Sequence, residues 1–121
     1  MSYAGLATDI GNQVAAVDLT NSKFLFAVLG AGGISPQSVA GAYNIGVIQT
    51  NPIAGLAVNV RVAGVSKIVA SAAIAKGAKV SSDATGKAKT AGAGDHVRGL
   101  ALEAAAGANS LIAILLIEDI A

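Results

Sequence analysis

The stretch FLFAVLGAGGIS, Phe24 to Ser35, decides which fold this chain can have. An apolar strand runs into Gly-x-Gly-Gly, the arrangement that opens a dinucleotide-binding unit when a helix and a ribose-binding acid follow. Neither follows. The third glycine position is Ser35, and the next segment, PQSVAGAYNIGV, is broken by Gly41 and Gly46. A helix that short cannot offer its N-terminus to a phosphate. About twenty residues on stand Gln49, Thr50 and Asn51, with no carboxylate among them. The stretch reads as a strand followed by a loop, and an α/β nucleotide fold is set aside.

Outward from this point the signals are those of strands. IGVIQ (45–49) precedes a turn marked by Pro52 and Gly55. LAVNVRVAGVSKIVA (56–70) alternates, with Val58, Val60 and Val62 on one face and Asn59 and Arg61 on the other. Gly64 interrupts that run and suggests a bulge or bend. KVSSDATGKAKT (79–90) reads as a hairpin turning at Asp83 to Gly86. VRGLALE (97–103) and SLIAILLI (110–117) complete the series. VASAAIAKG leaves room for one helical turn before Gly77 ends it. The expectation is an all-β single domain, a small sandwich or barrel of about six to eight short strands. Residues 1–22 are weakly patterned and are expected as an N-terminal arm, with 23–121 as the β-rich domain.

Composition narrows the function. Hydrophobic residues make up 54 % of the chain but aromatics only 3 %, so Ala, Val, Ile and Leu carry the apolar weight. Such side chains suit thin, closely packed sheets better than a deep ligand pocket. Charged residues are 12 %, about half the usual share, so much of a small domain's surface must be neutral or apolar. Apolar surface of that kind marks a contact. The net charge of +1 gives no electrostatic case for nucleic acid. With no cysteine there is no disulfide or thiolate site. Asn59, Arg61, Ser66 and Lys67 interrupt the apolar stretch 53–75, which rules it out as a membrane-spanning helix.

Chemistry-bearing residues are sparse. His96 is the single histidine and is expected, beside Asp95, as a solvated loop residue. Glu118 and Asp119 are adjacent on a strand and point opposite ways, so they form no acid–base pair. No catalytic residue, metal ligand or cofactor is expected. The final strand places Leu111, Ala113, Leu115 and Ile117 on one face and Ile112, Ile114 and Leu116 on the other. With both faces apolar, the second needs a cover, worth roughly 5 kcal/mol at about 1.5–3 kcal/mol per side chain before entropy is subtracted. The residues expected at a contact with another copy or another protein are Tyr3, Leu6 and Ile10 on the arm, and Ile112, Ile114 and Leu116.

The pieces IGVIQTNP (45–52), VNVRVAGVSK (58–67), AAIAKGAKVSSDATGKAKT (72–90) and RGLALEAAAG (98–107), closed by an apolar strand, resemble the capsid cement, or head decoration, proteins of tailed bacteriophages. The resemblance runs from near Ala42 to Ile117. It implies a structural virion protein, made in the host cytoplasm, that binds the outer surface of the mature head as a dimer or trimer. The implied partner is the major capsid protein, with no enzymatic activity, nucleic acid, membrane or small-molecule substrate. Two other readings fit some of the same strands. One is a phage tail or head-fibre domain, and the other a lipoyl- or biotinyl-like carrier presenting Lys87.

Overall fold

The computed structural model describes residues 7–121. Nine strands form one curled antiparallel sheet, a half-barrel, with no helix among the described residues. They are β1 (Thr8–Val14), β2 (Phe26–Gly30), β3 (Gly33–Pro36), β4 (Gly46–Ile48), β5 (Ala57–Val69), β6 (Lys79–Ser82), β7 (Ala88–Thr90), β8 (His96–Ala101) and β9 (Leu111–Ile120). The order is β3-β2-β4-β5-β9-β8-β6-β7, with β1 added alongside β5.

The glycine-rich stretch Gly30 to Gly33 is the turn of a tight hairpin between β2 and β3, paired from Ala27↔Pro36 to Gly30↔Gly33. Its close backbone approach is to the chain itself. Gly33 lies at φ 121°, and a Cβ there would stand 2.1 Å from the carbonyl oxygen of Val14. The glycine is needed because the end of β1 crosses over it, which no side chain would permit. The loop expected at this position therefore contains a strand, β3, that its short and polar sequence conceals.

Strand β5 spans both halves of the sheet. Its first part pairs with β1 and β4 (Arg61↔Val47, Val60↔Ile48), and its second part with β9 (Gly64↔Leu116 to Val69↔Leu111). The change of partner falls at Gly64, whose φ of 94° supplies the bend expected there. Two apolar clusters result. Phe26, Val47, Ile68, Ile74, Val80 and the inward residues of β9 fill one. Ala15, Leu19, Ile34, Ile48, Val58 and Val60 fill the other.

Residues 8–22, expected as part of an arm, are laid into this chain's own sheet. Asp9 on β1 is gripped by Arg61 on β5, Nε to Oδ1 at 2.8 Å and Nη2 to Oδ2 at 3.3 Å, while Asn59 Nδ2 donates to Oδ2 at 2.8 Å. The Asp9 carboxylate raises the guanidinium's pKa above its ordinary value. Leu19, further along, is fully buried. The stretch 70–78 forms an isolated bridge, Ile74↔Ala105, in place of a helical turn.

Where β4 and β9 part company along β5, backbone carbonyls lose their ladder partners. A buried arginine on β8 satisfies them. Arg98 donates from Nη2 to the carbonyls of Val62 (2.7 Å) and Ile45 (3.1 Å), and from Nη1 to that of Ile117 (3.2 Å). Burial lowers its pKa from the ordinary value, yet a guanidinium stays charged inside proteins. Arg98→Met should therefore strand three carbonyls and lower the unfolding free energy by about 3 kcal/mol or more. Arg98→Lys should recover only part of this, because one ammonium cannot serve three divergent acceptors. Urea denaturation of the two variants checks this, and an Arg98→Met protein as stable as wild type would refute it.

Candidate contact surface

The structure puts Ile112, Ile114 and Leu116 in the interior, at 2 %, 0 % and 8 % exposure, packed with Ile68, Ile74 and Val80. In the folded chain they are core and cannot serve as the exposed contact expected of them. The physical reason is register. Ile114 lies opposite Ser66 and Ile112 opposite Ile68, on the concave side of the half-barrel, so the chain's own sheet covers that face. Ile10 is half-buried on β1 against the second apolar cluster. Tyr3 and Leu6 lie outside the described residues.

The other face of β9 is the one left open. Leu111 is 47 % exposed, Leu115 37 % and, just past the end of β8, Leu102 37 %. Pairing places Val69 beside Leu111, Val65 and Leu100 on either side of Leu115, and Lys67 beside Ala113. This surface is apolar at its leucines, but one ion pair crosses it at Ala113, between Leu111 and Leu115, and a second lies at its far end. Lys67 Nζ lies 3.6 Å from Glu103 Oε2, and Lys79 Nζ lies 2.7 Å from Asp119 Oδ2. The Asp119 carboxyl is held below its usual value, chiefly by the Lys79 hydrogen bond. Exposed leucines with oriented polar groups set among them have the make-up of a protein contact. Covering the remaining exposed area of the three leucines contributes about 1 kcal/mol each. In sequence the two faces of β9 look alike. The signal that separates them is Lys67, which cannot lie inward without a partner.

The residues examined for chemistry are engaged in structure. His96, expected as a solvated loop residue, is exposed but opens β8, and its neighbour Asp95 is a hydrogen-bonding hub. Its Oδ2 accepts from Lys89 Nζ (2.6 Å), Ser81 Oγ (2.7 Å) and the Gly92 amide (2.9 Å). Ser81 thus bonds Asp95 directly, while the exposed His96 ring meets Tyr43 edge-on with centroids 6.0 Å apart. No serine–histidine–aspartate relay is assembled at this place. Lys87, the candidate carrier lysine, donates to Asn109 Oδ1 at 2.8 Å. No group of three potential metal ligands is found among the described residues.

The family model described as phage cement protein matches residues 7–116. It therefore reaches back through β1, beyond the region where the sequence pieces show the resemblance. Among solved structures, the N base of head fibre gp8.5 of bacteriophage phi29 superposes with a TM-score of 0.68 at 16 % identity, covering 91 % of this chain and 95 % of that one. At that identity the likeness is one of fold. No curated protein matches the chain.

The Asp95 hub gives a testable pH dependence. Its hydrogen bonds, led by that from Lys89, hold the carboxyl at about 2 against the ordinary 3.8. A carboxylate whose pKa is lowered by folding stabilises the fold above its unfolded value and loses that contribution as pH falls toward the folded value. Between about pH 4 and pH 2 the protein should lose roughly 1–2 kcal/mol through this group, allowing for partial screening. Thermal midpoints across that range should fall more gently in Asp95→Asn, whose stability should already be lower at pH 6. Parallel curves for the two proteins would contradict the assignment.

Proposed function

The chain belongs to the phage cement protein family and is a structural protein of the virion that binds the head; on this premise we propose that it sits on the outer surface of the mature head and ties neighbouring coat subunits together. The observation that carries this reading is the open leucine face of β9 with the ion pairs set into it. The role is mechanical and needs no reaction. A protein that binds the mature lattice better than the immature or dissociated shell stabilises the mature state by its difference in affinity.

Each contact can be weak. A dimer or trimer that touches several coat subunits gains effective concentration, so modest apolar patches suffice. Small residues support this use, because Ala and Gly on an outer strand let a second backbone come close. The fold likeness to a head-fibre base favours one second reading, in which the domain anchors a longer fibre to the same surface.

Purified protein should cosediment with mature heads and much less with immature ones. Leu115→Lys should reduce head binding at least tenfold while leaving the urea midpoint nearly unchanged, because Leu115 is already part-exposed. Full occupancy by that variant would remove the leucine face from the contact. Equal binding to mature and immature heads would refute stabilisation by difference in affinity. Cryo-EM of decorated heads separates a compact cap from the foot of a fibre.

A further inference from the structure

A second feature lies at the mouth of the fork that Arg98 fills. The loop before β4 and the end of β9 enclose a cavity of about 320 Å³ whose wall includes Tyr43, Asn44, Arg98, Glu118 and Ile120. Asn44 is 1 % exposed, and neither its Oδ1 nor its Nδ2 has a hydrogen-bond partner. The Nε of Arg98 is likewise buried and unpaired. A buried carboxamide with both ends unmet is costly to the free chain. A residue of an extended chain meets both ends at once, because its own N–H and C=O point to the same side.

The surroundings favour an amide within a polypeptide. β9 pairs with β8 as far as Ile120 but with β5 only as far as Leu116, so residues 117–120 are paired on one side among the described residues. The β8–β9 register shifts between Val97 and Gly99, opposite Ile117 and Glu118, so the ladder is interrupted at these two residues. The unpaired side can accept an added strand. Tyr43 and Ile120 are exposed and apolar at the rim. The Glu118 side chain is exposed and takes no part in the ion pairs found among the described residues. A second copy laid antiparallel on this edge would set Glu118 and Asp119 against the same acids, which is unfavourable. A free anion would meet both carboxylates.

We propose that this cavity receives an extended segment of a coat subunit, the N–H and C=O of one of its residues pairing with Asn44 as that carboxamide, sealed in the free chain, turns to the cavity, and an adjacent lysine or arginine meeting Glu118. The inference rests on the head-binding reading above and gives that reading a second, polar anchor, distinct from the leucine face.

The test compares wild type, Asn44→Leu and Glu118→Lys on undecorated mature heads. Asn44→Leu removes two unpaired polar atoms, so the free protein should be as stable as wild type or more so. Its head affinity should fall at least tenfold. Glu118→Lys changes an exposed side chain and should weaken binding about threefold, with a smaller salt dependence. It keeps the test decisive should Asn44→Leu misfold. A photo-crosslinking side chain at position 43 should join the coat protein. If wild type binds while both variants bind equally well, the cavity plays no part and the proposal falls, leaving the leucine face as the anchor. Loss of stability in Asn44→Leu with binding intact would mean that Asn44 holds structural water, and crosslinks to a second copy would likewise overturn it. Failure of wild type itself to bind heads would sink the underlying reading.

Discussion

One strand serving two sets of neighbours creates the constraint on which this molecule depends. β5 begins beside β1 and β4 and ends beside β9, so between Arg61 and Gly64 the hydrogen-bonding pattern must break. Broken ladders leave carbonyls without donors, and burying them uncompensated is costly. The Arg98 guanidinium stands in that gap and donates to three strands' worth of carbonyls. A planar fork of donors suits acceptors that diverge from one point, which a single ammonium does not. The half-barrel can therefore curl into two apolar clusters without stranding its backbone polar groups at the join.

The same economy governs the rest of the sheet. With few aromatics, the clusters are built from Val, Ile, Leu and Ala, and Phe26 is the one fully buried ring among the largest interior side chains. Thin layers of this kind gain little depth, so polar clasps hold the periphery. Asp9 ties β1 to β5 through Arg61 and Asn59, and Asp95 ties β6, β7 and the following loop through Ser81, Lys89 and Gly92. Several charged side chains of a sparsely charged protein are occupied in this way. What remains free of charge faces outward on β9 and β8, where a virion partner can cover it.

Two kinds of contact thus sit on one small domain. The leucine face offers area and little direction, whereas the cavity at the fork offers an oriented amide and an open strand edge. The discrimination of mature from immature lattice proposed above needs direction as well as area, because apolar burial alone is indifferent to register. The two are joined through β9, whose middle supplies the leucines and whose end supplies the edge.

The sequence by itself determined that the chain is all-β, where most strands run, and that it resembles cement proteins. Period-two alternation, the Asp83–Gly86 turn and the Gly64 bend are local properties, written where they act. It also showed that the last strand is apolar on both sides. Only the tertiary structure decided which side is inside. Shifting a strand's pairing by one residue exchanges its faces, and register is a relation between segments far apart in the chain, so Ile112, Ile114 and Leu116 could be read as surface until Ser66 and Ile68 were seen opposite them. Arg98 was invisible for the same reason. Nothing in RGLALE reveals that carbonyls from Ile45, Val62 and Ile117 converge on one side chain, because that convergence exists only once the sheet has curled.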